Sequence, residues 1–401
     1  MIELVMAILF FALAIVNATV MILFFLPERK YKACHPDVSV IIPAHNEEST
    51  IKSTVESVLS SSYAGNMEII IVNDGSTDGT AARVPKNKKL RLFNVKHGGK
   101  AAAINFGVRK AKYETIVFLD ADSRLKKDSI ALLVAPLADK DIAVTSGVVL
   151  ARQTKNPFSW FQSLDYIVYS GWRYSCSKIN ATYVAPGFGA IKKSALQKVG
   201  GFSSDTLTED IDTTLTLRKS GFGAVMTLST IMTSTPSSLG AFIRQRARWG
   251  RGTIQTAKKH KDMMFKKNSI GMYGFPMHMF WYPFALIYLP LSVYWMFQNY
   301  FAYGGGLMFF LNWLTIYGIF SLFQNVIAGN YALTPIIGAI MASWLLSFIY
   351  FVVTMRKFSA FSWKILSYLV IFPYNWLVFG VQGFTFVVEL FSRRRGNVWT
   401  K

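Results

Sequence analysis

The chain has 401 residues, of which 52% are hydrophobic and 15% are aromatic, a composition too apolar for an ordinary soluble protein. A membrane protein is therefore expected, and its formal net charge of +21 favours anionic lipid or a phosphorylated substrate as partners. Nucleic acid is not expected as a partner, because the basic residues form no motif typical of nucleic-acid recognition.

The first predicted element is a membrane span. Residues 4–26 contain no charged side chain, and about 20 such residues cross the hydrocarbon core as a helix. Glu3 precedes this run and a basic cluster beginning at Arg29 follows it, which is the reverse of a signal peptide. We therefore expect an N-terminal transmembrane helix over residues 1–28, with the chain that follows it in the cytoplasm.

Residues 36–236 alternate short apolar runs with helical stretches. The apolar runs include VSVIIPA, MEIIIVND, RLFNV and TIVFLDAD, which are typical of buried parallel strands. The alternation predicts an α/β fold with a doubly wound sheet, in which ligands bind beyond the carboxyl ends of the strands. A dinucleotide-binding domain is disfavoured, because no G-x-G-x-x-G motif follows the first strand.

Polar side chains follow three of these strands. Asp74 ends the second strand, and Lys100 follows the third strand at the start of a helix. Asp120 and Asp122 follow the fourth strand. Aspartate is a common turn former, but two aspartates two residues apart can also hold one hard divalent cation, Mg²⁺ or Mn²⁺, together with a diphosphate. Asp74 can accept a hydrogen bond from a nucleobase edge, and Lys100 suits a phosphate.

Two later segments carry further chemistry. Glu209 and Asp210 precede a helical run. Beyond it, residues 237–270 are basic and amphipathic, which is typical of interfacial helices on a membrane surface. Three residues in this region share one helix face, because their spacing is i, i+3 and i+4. They are Gln245, Arg248 and Trp249.

The C-terminal part of the chain is strongly apolar. No Asp, Glu, Lys or Arg lies between Lys267 and Arg356, although one such charge at a helix centre costs roughly 2.5–3.5 kcal/mol. We expect about four spans within residues 275–392 and a basic cytoplasmic tail over residues 393–401. The expected spans are 278–298, 305–328, 333–355 and 365–391. Four spans would leave Arg356 and Lys357 outside, against the positive-inside tendency, so the number of spans stays open by one.

The ordered set of motifs resembles the processive, membrane-embedded, inverting glycosyltransferases of family 2, which make cellulose, chitin, hyaluronan and poly-N-acetylglucosamine. The motifs are Asn73-Asp74-Gly75, Asp120-Ala121-Asp122, Thr208-Glu209-Asp210 and Gln245-Arg246-Ala247-Arg248-Trp249. This resemblance implies a Rossmann-like GT-A domain in the cytoplasm, joined to transmembrane helices of the plasma membrane. It also implies a UDP-sugar donor, Mg²⁺ or Mn²⁺, and a growing polysaccharide as acceptor, and it leaves room for a small accessory membrane subunit.

The resemblance also assigns roles to residues. The metal would bind Asp122, and the donor would contact five residues, which are Asp74, Glu47, Lys100, Asp120 and Arg248. The acceptor would contact Trp249 and Gln245 and, by a looser match, Gly187 and Phe188. Asp210 is the candidate general base, with Glu209 beside it, because a carboxylate must reach the hydroxyl that attacks the anomeric carbon.

The motifs indicate the donor sugar and the product less specifically than the type of reaction. Thr208-Glu209-Asp210 followed by Ile211-Asp212 is most similar to poly-N-acetylglucosamine and cellulose synthases, and the compact length favours UDP-N-acetylglucosamine. Polar and aromatic side chains in the spans predict that the polymer is extruded through them. Three alternatives stay open: a hyaluronan, chitin or glucan synthase, a non-processive transferase to a lipid carrier, and a non-enzymatic membrane transport or assembly subunit. Every acid expected in the site is present, which argues against the last.

Overall fold

A computed structural model describes residues 2–152, 155–184, 187–302 and 306–392 of the chain. The predicted basic tail over residues 393–401 lies outside this part. Thirteen α-helices occur in the described residues. In chain order they are α1 Ile2–Phe25, α2 Ile51–Leu59, α3 Lys100–Lys110, α4 Ser129–Val134, α5 Pro157–Lys178, α6 Lys193–Lys198, α7 Glu209–Lys219, α8 Leu239–Lys259, α9 Phe275–Ala302, α10 Leu307–Leu314, α11 Tyr317–Ile327, α12 Pro335–Lys357 and α13 Ile371–Phe391.

One eight-stranded sheet forms the centre of the α/β domain. Its strands are β1 Val38–Ala44, β2 Met67–Asp74, β3 Leu90–Val95, β4 Thr115–Leu119, β5 Arg124–Leu125, β6 Ile142–Ala151, β7 Phe188–Lys192 and β8 Gly223–Thr233. They lie in the order β3-β2-β1-β4-β7-β6-β8-β5. The first four strands are parallel, as the apolar runs predicted.

Beyond these four strands the sheet is mixed rather than parallel. β7 is antiparallel to both β4 and β6, and β5 is antiparallel to β8. The reversal has a local consequence, because Phe188 at the start of β7 pairs with Leu119 at the end of β4. Gly187, just before β7, is thereby brought to the edge where the polar strand ends lie.

Both faces of the sheet are buried, which explains the continuous apolar runs. Successive side chains of a strand point to opposite faces, so Val40 and Ile42 pack in one core and Ile41 in the other. α2 and α4 contribute to the first core, and α3, α6 and α7 to the second. Two-sided burial holds the strand ends in fixed positions and leaves their polar residues at one edge.

Four helical stretches are long and apolar enough to cross a membrane, namely Leu4–Phe25, Ile270–Gln298, Pro335–Lys357 and Ile365–Phe391. The expected span over residues 305–328 is not a single helix. It forms α10 and α11, which are separated at Thr315, where the backbone is extended. The next residue, Ile316, donates its N–H to the carbonyl of Leu369, 3.0 Å away. In a continuous helix this N–H group would instead bond to a carbonyl within the helix, so the helix is interrupted here.

The ends of three helices meet at Glu28, just beyond α1. Its carboxylate contacts Lys357 at the end of α12, Lys178 at the end of α5 and the hydroxyl of Tyr174. α1 and α12 therefore run in the same direction and end on the same side. Lys357 lies on the side where the chain leaves α1, which removes the conflict with the positive-inside tendency.

α1 packs along α12, and a polar contact fixes the pair. The side-chain amide of Asn17 donates to the carbonyl oxygen of Ser343 at 3.2 Å and to the hydroxyl of Ser347 at 2.7 Å. Buried amides between apolar helices need such partners. The contact places Asn17 on the face of α1 that α12 covers.

Candidate active site

The first group of site residues surrounds Asp74 at the end of β2. Asp74 is buried, and its two carboxylate oxygens accept the backbone N–H groups of Gly98 and Gly99 at 2.8 and 2.9 Å. Gly99 has a φ of +88°, a conformation that glycine adopts without strain. The turn before α3 is therefore built around the Asp74 carboxylate.

Two histidines beside Asp74 were not expected as site residues. The Nδ1 atom of His97 lies 3.0 Å from Asp74 Oδ2, and the imidazole rings of His45 and His97 are 4.5 Å apart. The ligating atoms of these three residues lie within 4.8 Å of one another, close enough to share a cation. Both carboxylate oxygens of Asp74 also accept backbone N–H groups, so hydrogen bonds alone account for the position of this carboxylate.

Lys100 connects two of the expected motifs. Its ammonium lies 2.6 Å from Asp120 Oδ1 and 3.2 Å from Glu209 Oε1. Burial alone would lower the pKa of Lys100, but the Asp120 and Glu209 carboxylates raise it above its ordinary value. The lysine is therefore a permanent cation between the end of β4 and the start of α7.

Asp210, the second residue of α7, has an environment suited to a base. Burial and the neighbouring Glu209 carboxylate raise the pKa of Asp210 to about 7, although the Lys100 cation acts in the opposite direction. A carboxyl group with this pKa is partly ionised near neutral pH, so it can both accept and release a proton there. Sequence motifs indicated the residue but not this environment.

Gly187, just before β7, lies against Asp120. Asp120 donates its backbone N–H to the carbonyl of Gly187 at 3.0 Å. Gly187 has a φ of +54°, and a Cβ atom there would press against Asp120 Oδ2, so the position favours glycine. Phe188 is fully buried in the core, and this corrects the expectation that its side chain contacts an acceptor. Of the two residues, Gly187 alone lies at the site.

Asp122 is held by hydroxyl groups. Its Oδ1 atom accepts hydrogen bonds from Thr233 at 3.2 Å and Ser123 at 3.3 Å. Thr233 ends β8, so the far half of the sheet helps to orient this carboxylate. Asp120 and Asp122 together provide carboxylate oxygens, the ligand type that Mg²⁺ and Mn²⁺ prefer. The donor set therefore fits the expected divalent cation. Glu47, by contrast, accepts a hydrogen bond from Thr50 at the start of α2.

α8 lies between α7 and α13, because two glycines allow close approach. A Cβ atom on Gly252 would lie 2.6 Å from Thr208 Cγ2, just before α7. One on Gly250 would lie 2.6 Å from the hydroxyl oxygen of Thr385 in α13. This packing brings the face with Gln245, Arg248 and Trp249 towards the start of α7, where Asp210 lies. Arg248 has no carboxylate partner within the described part of the chain.

A cavity of about 1070 Å³ lies among the apolar helices next to α8. Its lining combines aromatic and polar side chains, which include Tyr169, Trp281, Tyr288, Asn375 and Gln382. Among the described residues that line it, Asp165 of α5 is the one with a formal charge at neutral pH. The cavity can therefore accommodate an uncharged polar molecule far better than an ion.

Comparisons with known proteins show what the α/β domain is similar to. The family model "Glycosyl transferase family 2" matches residues 39–200. Poly-beta-1,6-N-acetyl-D-glucosamine synthase of Staphylococcus aureus (strain COL) is 30% identical over 227 residues, 54% of each chain. The Staphylococcus epidermidis protein of the same name is 28% identical over 244 residues, 59% of each chain. The chain thus matches somewhat more than half the length of these curated relatives.

A solved structure has the same fold. Mannosyltransferase PcManGT from Pyrobaculum calidifontis, in complex with GDP-Man and Mn2+, aligns with a TM-score of 0.56 and 22% identity. The alignment covers 90% of this chain and 99% of that chain, so it extends beyond the α/β domain. The family match thus covers most of the α/β domain, from β1 to just beyond α6, and the solved structure shares the fold of the chain.

Proposed function

We propose that the chain is a processive inverting β-glycosyltransferase, which polymerises N-acetylglucosamine from UDP-N-acetylglucosamine and extrudes the polymer through its own membrane helices. The observation that carries this proposal is the juxtaposition of a family 2 acidic cluster, the Trp249 helix and a 1070 Å³ cavity among the apolar helices. The names of the curated relatives support the choice of sugar.

In the proposed reaction, Asp210 accepts the proton of the acceptor hydroxyl as that oxygen attacks the anomeric carbon of the donor. The attack displaces UDP from the opposite face, so the configuration inverts and no covalent enzyme intermediate forms. Asp74 would accept a hydrogen bond from the uracil, and Lys100 and Arg248 would approach the diphosphate. The indole of Trp249 would support the terminal sugar of the acceptor.

The carboxylates of Asp120 and Asp122 would hold Mg²⁺ or Mn²⁺. Such a cation neutralises the negative charge that develops on the diphosphate leaving group. The ligand chemistry of these two residues supports this role, and the neighbouring protein of the same fold carries Mn2+ in its complex. Lys100 lies 2.6 Å from Asp120, so the lysine and the cation would share the charge of one diphosphate.

We place the protein in the plasma membrane as a multi-pass protein with its catalytic domain in the cytoplasm. Four helices of sufficient length and the basic residues after α1 support this orientation. A UDP-sugar donor is a cytoplasmic metabolite, so in this orientation the donor-binding site would face the compartment that contains the donor. A small accessory membrane subunit remains compatible with the arrangement.

The charge of the cavity favours a neutral polymer over the hyaluronan alternative. Residues between Lys267 and Arg356 carry no charge, and the lysine- and arginine-free lining offers no partner for a carboxylate. A polymer with a glucuronate in every second position would bring several unpaired charges into this region, at high cost. The cavity also argues against a transferase that moves one sugar to a lipid carrier, which needs no path for a chain.

A vesicle experiment tests the proposed function. The protein is reconstituted in sealed vesicles with radiolabelled UDP-N-acetylglucosamine and Mn²⁺ outside. We expect long polymer that an added hexosaminidase cannot digest until detergent opens the vesicles. Lipid-linked monosaccharide as the main product would support the lipid-carrier alternative, and the absence of any sugar transfer would support the transport or assembly subunit. Polymer that the hexosaminidase digests fully before detergent is added would contradict extrusion, but it would still support the polymerase activity.

The pH dependence of the rate tests the environment of Asp210. A base must be unprotonated to act, so kcat/KM should fall as the pH decreases through about 7, rather than through the ordinary aspartate range near 4. The Glu209→Gln variant should move this acid limb to lower pH, because it removes a negative neighbour and frees Lys100 to favour the ionised form. If kcat/KM of the wild type decreased only near pH 4, Asp210 in this environment would not be the general base.

A further inference from the structure

Arg246 lies inside the Gln245 to Trp249 motif, but none of the roles above uses it. It is buried, and its guanidinium lies over the Trp249 ring at 4.5 Å from the centroid. The rings of Phe242 and Tyr166 enclose it further, at 5.1 and 5.8 Å. A cation over one face of an indole is attracted by the ring and fixes its orientation. A sugar could then stack only on the other face of Trp249.

The charge of Arg246 is balanced from α5. Its Nη2 atom lies 2.6 Å from Asp165 Oδ2, and Tyr374 of α13 donates its hydroxyl to the same oxygen at 3.1 Å. Both Asp165 and Tyr374 line the membrane cavity. The chain of contacts therefore runs from Trp249 through Arg246 to the cavity wall, and it joins three helices.

The contacts of the Arg246–Asp165 ion pair do not favour a role in stability alone. Burying two charges is costly, and an apolar pair of similar size is often as stable or more so. The Nε atom of Arg246 is also buried without a hydrogen-bond partner in the described part of the chain. The guanidinium is thus held by the Asp165 carboxylate at Nη2 and by ring contacts. A pair optimised for stability alone would also satisfy the Nε–H group.

We propose that Arg246 and Asp165 are positioning residues, which hold the Trp249 indole at the mouth of the membrane cavity and thereby keep the polymer bound between successive additions. The inference rests on the proposed function, because it concerns the acceptor of that same reaction. It predicts that product length and donor binding respond separately, since among the described residues the donor site around Asp74 and Lys100 shares no hydrogen bond or ion pair with Arg246 and Asp165. Loss of the pair should shorten the polymer and leave the donor KM unchanged.

The test replaces both charges at once, in the variant Arg246→Met with Asp165→Leu, so that neither charge is left buried alone. With UDP-N-acetylglucosamine and Mn²⁺, we expect the median product length to fall about tenfold, corresponding to one lost stacking contact. Donor KM should stay within about twofold of the wild type, and a larger share of UDP release should occur without polymer growth. The control is Arg244→Gln, an exposed position on the same helix, which should give wild-type lengths.

The conservative variant Tyr374→Phe provides a second measurement, because it removes only the hydroxyl group that contacts Asp165. We expect it to shorten the product about threefold without a change in donor KM. Wild-type product lengths in both the double variant and Tyr374→Phe would overturn the proposal. If the double variant does not fold, wild-type lengths in Tyr374→Phe alone would overturn it. A wild-type protein that makes no polymer would instead count against the proposed function.

Discussion

Replacing Asp210 with Asn will abolish sugar transfer but leave UDP binding nearly intact. Asparagine keeps the shape of the side chain and removes its ability to accept a proton, and general bases contribute roughly 10²–10⁴-fold to a rate. We expect kcat to fall about 1000-fold, with the Kd for UDP within about twofold of the wild type. Calorimetry with UDP and Mn²⁺ measures binding, and incorporation of radiolabelled sugar measures transfer.

Asp212 provides a matched control on the same helix. It is fully buried and pairs with Lys259 at 2.8 Å and His260 at 2.6 Å, both at the end of α8. Asp212→Asn should lower the melting temperature and leave the turnover of the folded protein unchanged, which is the opposite pattern. If Asp210→Asn kept more than about a tenth of its turnover, the base would have to be another residue, and Glu209 would be the first candidate.

Replacing Asp122 with Ala will remove donor binding and metal dependence together. The Asp122 carboxylate would hold the metal ion that helps to bind the diphosphate, so its loss should weaken the binding of UDP with Mn²⁺ by on the order of 100-fold or more. Wild-type protein treated with EDTA should bind UDP as weakly as the variant does. Titrating UDP with and without Mn²⁺ measures the effect for both proteins.

The control for Asp122 is Asp128→Ala, an exposed aspartate before α4 without a side-chain capping bond. It should bind UDP as the wild type does. Binding that stays Mn²⁺-dependent in Asp122→Ala would contradict the assignment of the metal to this residue. It would then direct attention to the group of His45, Asp74 and His97, whose ligating atoms lie within 4.8 Å of one another.

Much of the α/β domain could be predicted because its signals are local. β1 and β2 coincide with the runs VSVIIPA and MEIIIVND, and parallel strands place their carboxyl ends at one edge. The positions of Asp74 and Asp120 at this edge follow directly. The antiparallel direction of β7 could not be predicted in this way, because it depends on pairing with β4 and β6, which no local pattern records.

Tertiary contacts also explain the other differences. Residues 305–328 are apolar enough to form one span, but Ile316 bonds to Leu369, and the helix breaks there. The partner of Arg246 lies on α5, far from the motif in sequence, so spacing could not indicate it. Asp210 illustrates the same limit, because its pKa depends on burial and on the arrangement of Glu209 and Lys100. Motifs identified the residue, and only the fold shows its environment.

The pairing of α1 with α12 has a consequence for biogenesis. Asn17 and Ser343 are 326 residues apart, so α1 reaches the bilayer long before its partner has been synthesised. At about 5–20 residues per second, the delay is on the order of half a minute. During that time the amide of Asn17 lacks the hydroxyl and carbonyl groups that later receive its hydrogen bonds. Residues 4–26 carry no charged side chain, which allows α1 to remain in lipid during this time. The membrane domain can complete its assembly only after the catalytic domain has emerged from the ribosome.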